Sequence, residues 1–224
     1  MRNQFGRKAL GSATFALVAS SVLAAANASA GVFSSVHFVN PGEFALGLEP
    51  EVTLASGAGV STTARYTQGV NDLTNITGLI GTGNGPRQFR VGGNMTLDFF
   101  PDTKGQPGMG LMFQGIYYRL PAGSTSATSA YIPATANTPS TGQLEVTVAP
   151  YIHKNFNTGG QNEIDPFLAI PFGWTFQDGQ YKNIALISLG SMIKANDHLS
   201  YVAEFGVGVN NTDTYFSGGI VYYH

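Results

Sequence analysis

Three features of this 224-residue chain point to an all-β fold, a transmembrane antiparallel up-and-down β-barrel of about ten strands. First, apolar and polar residues alternate with period two over long segments, matching the roughly 9–11 residues with which a tilted strand crosses a bilayer. Second, only 11% of residues are charged against 43% apolar, whereas a soluble surface usually carries about 25–35% charged residues. Third, the chain opens with an export signal. After it no run approaches the 18 or so apolar residues of a membrane helix, so a membrane-embedded form must cross with strands.

The export signal comprises residues 1–30. Arg2, Arg7 and Lys8 form its positive region, residues 9–26 its apolar run, and Ala28-Ser29-Ala30 a small-residue cleavage site, which implies export through the Sec pathway and cleavage after Ala30. Ser12, Thr14, Ser20 and Ser21 dilute the run, which argues against an uncleaved membrane helix. Removing this segment leaves eight Lys and Arg against all thirteen acids. No basic footprint for nucleic acid remains. The absence of cysteine excludes a disulfide framework, a cysteine metal site and a lipid-anchored N-terminus. Residues 31–42, with Val32, Phe33, His37 and Phe38, read either as a short periplasmic segment or as a strand that plugs the barrel.

The barrel is expected over residues 43–224. In its first strand Phe44, Leu46, Leu48, Val52 and Leu54 share one parity, and Ala45, Gly47, Glu49, Glu51 and Thr53 the other. After a turn at Ser56-Gly57, Val60, Ala64 and Tyr66 oppose Ser61, Thr63, Arg65 and Thr67. A weaker, glycine-broken strand covers about 73–82, and Gly83-Asn84-Gly85-Pro86 turns the chain into a fourth. There Phe89, Val91, Met95, Leu97 and Phe99 oppose Arg90, Gly92, Asn94, Thr96 and Asp98. Leu111, Phe113 and Tyr117 oppose Met112, Gln114 and Tyr118 in the fifth, and Leu144, Val146, Val148 and Ile152 oppose Gln143, Glu145, Thr147, Tyr151 and His153 in the sixth. Leu168, Ile170, Phe172, Trp174 and Phe176 mark the seventh. Residues 183–194 are apolar on both parities and leave their facing open. Leu199 to Val209 and 214–223 complete a count of ten, within a range of eight to twelve. The apolar face belongs against lipid and the face of Gly, Ser, Thr, Gln and isolated charges in the lumen. A soluble sandwich or lipocalin-like barrel needs a well-charged outer face, which this chain lacks.

The last strand carries a more specific signal. Ser217-x-Gly219-x-x-Tyr222-x-His224 resembles the C-terminal insertion signal of bacterial outer-membrane β-barrels, which runs polar, x, Gly, x, x, aromatic, x, aromatic. His224 stands where that superfamily usually ends in Phe or another aromatic residue. The resemblance implies an outer-membrane location, delivery to the barrel-assembly machinery, and a surround of outer-membrane lipid and lipopolysaccharide.

With both termini periplasmic, the polar stretch 120–141 falls outside the cell, where long loops of such barrels belong. It reads first as a solvated variable loop, with the alternative of an adhesion or binding module that contacts an extracellular ligand or another cell. Turns 101–107 and 154–163 are then periplasmic. Trp174, Phe176 and Tyr181 are expected near the outer interface and Phe99, Phe100 and Tyr222 near the inner one.

Seven charges are expected in the lumen: Glu49, Glu51, Arg65, Arg90, Asp98, Glu145 and Glu204. Buried charges require partners, so they serve either as structural ion pairs or as a charged constriction in a narrow channel. Eight strands are just filled by side chains and about sixteen to eighteen make an aqueous pore, so ten exclude a wide porin. No enzyme and no cofactor is expected. His37, His153, His198 and His224 all fall toward the periplasmic side, away from the outer rim where omptin proteases and the eight-stranded palmitoyl transferases hold their sites. The Gly81–Gly85 run lacks the Lys-Ser/Thr of a phosphate loop and reads as a turn.

Overall fold

A computed structural model describes residues 39–54, 59–84, 89–120, 141–157, 163–210 and 212–224. The expected signal peptide, residues 31–38 and the loop between Leu120 and Thr141 lie outside the described residues. The strands are β1 (Phe44–Thr53), β2 (Val60–Asn71), β3 (Thr74–Gly83), β4 (Phe89–Phe100), β5 (Gly108–Leu120) and β6 (Thr141–His153). They are followed by β7 (Phe156–Asn157), β8 (Glu163–Ala169), β9 (Phe172–Gln177), β10 (Gln180–Asn196), β11 (Leu199–Asn210) and β12 (Tyr215–Tyr223).

These twelve segments make ten staves. β8 and β9 both lie between β6 and β10, forming one stave interrupted at Ile170-Pro171. Pro171 has no N–H to give the ladder, although the neighbouring bonds from Ile170 N to Pro150 O and from Leu186 N to Pro171 O hold the stave in line. β7 is a two-residue ribbon on the edge of β8. All pairings are antiparallel, and β12 pairs with β1 from Thr53↔Tyr215 to Ala45↔Tyr223, which closes the sheet. Closure leaves the ten staves without a free edge, the condition for a sheet to sit in lipid.

The burial pattern is inside out. Large apolar side chains point outward around the whole circumference, from Leu46 on β1 and Tyr66 on β2 through Val91, Phe113, Val146, Trp174 and Leu189 to Phe205 and Ile220, each between 39% and 57% exposed. A soluble monomer's largest apolar patch is about 300–600 Å², whereas this belt encircles the molecule. The opposite parity is buried and rich in Thr, Ser, Gln, Asn and charge. The fold is therefore a transmembrane ten-stranded up-and-down barrel. The end holding the chain terminus also holds the turns after β2, β4, β6 and β10; it is called the terminal end, and the opposite one the far end.

The facing of residues 183–194 resolves here. Ile184, Leu186 and Met192 point inward while Ile187, Leu189 and Ile193 are exposed. The lumen is accordingly not uniformly polar. Met112, Ala149, Tyr151, Phe167, Ala169, Leu186 and Tyr215 form a buried cluster, and Leu79, Ile116 and Tyr118 another. Large inward residues lie over inward glycines. A Cβ at Gly190 would stand 2.3 Å from the Phe167 ring, and one at Gly206 would stand 2.1 Å from the Tyr215 ring. The pairing of large with small lets side chains fill a narrow barrel.

At the terminal end the chain enters the barrel mouth. Val39 is buried against Ala45, Val202 and Val221, and Gly42 N and Gly69 O are bonded at 3.1 Å.

Candidate functional site in the lumen

Strand parity places all seven sequence-expected charges on the inward face, each no more than 7% exposed. Register then decides which of them meet. Glu49 and Glu51 are two apart on β1 and share a face. Gly47 pairs with Arg65 of β2, and the Arg65 side chain leans from there toward the far end. Arg65 Nε donates to Glu49 Oε2 at 2.7 Å. Arg90, two strands further round, crosses β3 over Gly81, where a Cβ would lie 2.6 Å from its Nε. Its Nη1 reaches Glu51 Oε2 at 3.1 Å and its Nη2 reaches Ser61 Oγ at 3.2 Å. This corrects the reading of the Gly81–Gly85 run as a turn, because Gly81, Thr82 and Gly83 belong to β3.

Glu204 of β11 continues the same wall. Cross-strand pairs run Glu204↔Ser217↔Glu51↔Ser61, so two carboxylates and two hydroxyls form one inward row. Ser188 Oγ donates to Glu204 Oε1 at 2.6 Å, and the Tyr215 hydroxyl donates to the same oxygen. Glu145 stands on another wall, flanked in register by Ile116 and Thr175. One strand pair further toward the far end, Gln143 Nε2 donates to Thr175 Oγ1 at 2.6 Å.

Asp98 does not join this group. It lies eight residues beyond Arg90 on β4, about 27 Å at a strand's rise per residue. Its neighbours are His153, which the alternation puts on the lumen parity of its strand, and Asp165, and neither is among the seven expected charges. His153 Nδ1 lies 3.1 Å from Asp165 Oδ1, and His153 Nε2 lies 3.7 Å from Asp98 Oδ2, with all three side chains buried. His153 and Asp165 flank one turn on the inward parity, and following that parity across the turn is the signal that finds them.

Beside it, outside the barrel wall, the two terminal-end turns are tied together. Lys154 Nζ donates to Asp102 Oδ1 at 2.5 Å and to Thr103 O at 2.6 Å, and Asn155 N donates to Asp102 Oδ2 at 2.7 Å. Burial works to raise the Asp102 carboxyl's pKa, but these hydrogen bonds and the Lys154 charge outweigh it and hold the group below its ordinary range.

The C-terminal motif has a geometry of its own. Ser217 is buried and Tyr222 exposed. A Cβ at Gly219 would lie 2.6 Å from Leu48 O and 2.7 Å from Glu49 Cγ, so only glycine fits behind the charge pair. The His224 ring packs on Phe44 with centroids 4.8 Å apart, and the two backbones exchange hydrogen bonds. Among the described residues no group of three or more His, Asp or Glu is arranged to hold a metal ion.

No protein-family model matches the chain, and no curated protein matches it. Among solved structures it is similar to an outer membrane channel from Pseudomonas putida F1, at 6% identity and a TM-score of 0.45, over 88% of this chain and 100% of that one. It is similar to the translocator domain of the autotransporter NalP from Neisseria meningitidis, at 9% identity and a TM-score of 0.42, over 94% and 96% of the two chains. A de novo designed transmembrane β-barrel aligns at 11% identity and a TM-score of 0.40, over 84% of this chain and 100% of the design. The fold itself rests on the closed ladder and the inside-out burial described above.

Proposed function

We propose that this protein is an integral barrel of a bacterial outer membrane that forms a narrow, cation-preferring passage. The observation that carries this reading is the charge of the buried interior. Among the described residues it holds seven carboxylates (Glu49, Glu51, Asp98, Glu145, Asp165, Glu204 and Asp213) against two guanidiniums and one imidazole. Rings of acidic side chains favour cations in a constricted pore. Unpartnered polar groups on the wall support a passage over a dry plug. Both amide atoms of Asn75 and Gln114 and the hydroxyls of Thr63 and Thr147 are buried without a protein partner, and such groups call for water inside the barrel.

Outer-membrane placement is supported by the export signal and the C-terminal motif. In that setting the terminal end faces the periplasm. Lipid and lipopolysaccharide surround the belt, and the assembly machinery reads Ser217, Gly219, Tyr222 and His224. Purified protein in a planar bilayer under a KCl gradient tests the function. The expected result is small unitary steps with a reversal potential on the cation side, shifted toward anions by Glu51→Gln combined with Glu204→Gln. Absence of steps overturns the channel and leaves a structural barrel, and anion preference in the wild type overturns the cation preference.

A further inference from the structure

We propose that an outward groove on the seam between β12 and β1 is a binding site for one acyl chain of a membrane phospholipid. Two observations meet there. The β1–β12 pairs run from Leu48↔Ile220 directly to Glu51↔Ser217, skipping Glu49 with Gly219 and Pro50 with Gly218. Pro50 brings no N–H to a ladder, so the closing seam of the barrel is loosest at that level. On the outer surface of the same stretch lies a cavity of about 510 Å³ lined by Leu48, Pro50, Val52, Phe216, Gly218 and Ile220, with Gly219 behind them. Gly218 has outward parity but no side chain, so bare backbone forms the floor between the walls of Phe216 and Ile220.

The occupant follows from the lining and the surroundings. The volume falls within the range of about 300–1,000 Å³ typical of small-molecule sites, and every residue of the lining is apolar, which selects hydrocarbon. A second protein would need about 800 Å² of matching surface per partner, far more than one groove between two strands offers. Strand addition requires an open edge, and this sheet is closed. The groove opens into the belt that the fold presents to lipid, so an acyl chain is the hydrocarbon at hand. The site rests on the membrane placement proposed above.

Gly218→Leu fills the groove without disturbing the wall, because the only atom near a Cβ there is Val202 O at 3.6 Å. Gly78→Leu is the matched control, on the exposed face of β3 with nothing within 4 Å of its Cβ. Full-length protein is reconstituted in phosphatidylethanolamine–phosphatidylglycerol vesicles, floated on a density gradient, transferred to detergent until loosely held lipid is lost, and weighed by native mass spectrometry. Wild type and Gly78→Leu are expected to retain one phospholipid per barrel, and Gly218→Leu to show at least a tenfold lower occupancy. Ile220→Trp, which fills the same groove from its wall, is expected to lose the lipid too and covers the case in which Gly218→Leu fails to fold. A wild type that floats but retains no lipid, or filled variants that retain it equally, overturns the groove alone. A wild type that does not float overturns the membrane placement and the site together.

Discussion

The two walls of the lumen fill the same narrow space by opposite means. Around β11, β12, β1, β2 and β4 the interior is ionic: Arg65 with Glu49, Arg90 with Glu51 and Ser61, and Glu204 held by Ser188 and Tyr215. Around β5, β6, β8 and β10 an apolar cluster of Met112, Tyr151, Phe167 and Leu186 fills the space, with Glu145, His153 and Asp165 buried on the same strands. Each wall depends on glycines, for different reasons. Gly81 gives the Arg90 stem a path to its carboxylate, whereas Gly190 gives the Phe167 ring a bed. The barrel thus joins a specific, hydrogen-bonded half to a space-filling half, and the two respond to different substitutions.

Charge removal separates them most sharply. Arg65→Ala strands Glu49 in a buried site and is expected to destabilise the barrel by about 3–5 kcal/mol, the usual consequence of halving a buried ion pair. Replacing both partners, as Arg65→Met with Glu49→Leu, is expected to recover most of that loss. Urea unfolding in vesicles, followed by the fluorescence of the single, lipid-facing Trp174, reads both effects. Equal losses in the single and double variants would show that the wall is held by packing and not by charge pairing.

A smaller effect is expected from crowding the apolar wall. Gly190→Ala places a methyl group 2.3 Å from Phe167 Cζ and 2.7 Å from Ala203 O, and overpacking of this kind costs about 1–3 kcal/mol. Adding Phe167→Leu is expected to restore part of it, in the same unfolding assay. No recovery would place the strain on the backbone contact instead.

The smallest effect lies outside both walls, at the Lys154–Asp102 tie. Because the folded carboxyl titrates below its ordinary value of 3.8, its stabilisation is complete above that value and is lost as pH falls through the lower, folded one. Asp102→Asn is therefore expected to cost under about 1 kcal/mol at neutral pH, as for a partly exposed pair. The difference from wild type should vanish in acid. A difference that persists unchanged in acid would assign the tie to its hydrogen bonds alone.

Much of this was legible in the chain. Strict alternation places Leu46 and Leu48 outside and Glu49 and Glu51 inside, and the same rule brings every expected charge to the lumen, because parity is a property of one strand. Register is a property of two. Sequence gave no means to see that Asp98 sits about 27 Å from Arg90's level, or that it lies beside His153 and Asp165. The apolar half of the lumen was hidden for a related reason. Inward Leu186 and outward Leu189 look alike until a neighbouring strand shows which face is packed. Gly81 read as turn chemistry, and only the arginine crossing above it reveals why a strand needs glycine there.

The central claim is that the apolar face points to lipid and the charged face to the lumen. Gel mobility of the lipid-reconstituted protein, with and without boiling, tests it most directly, since a closed barrel stays folded in cold SDS. The account predicts a compact, fast-migrating band that boiling shifts to the position of the unfolded chain. Identical migration before and after boiling, from protein that also stays soluble without detergent, would contradict it.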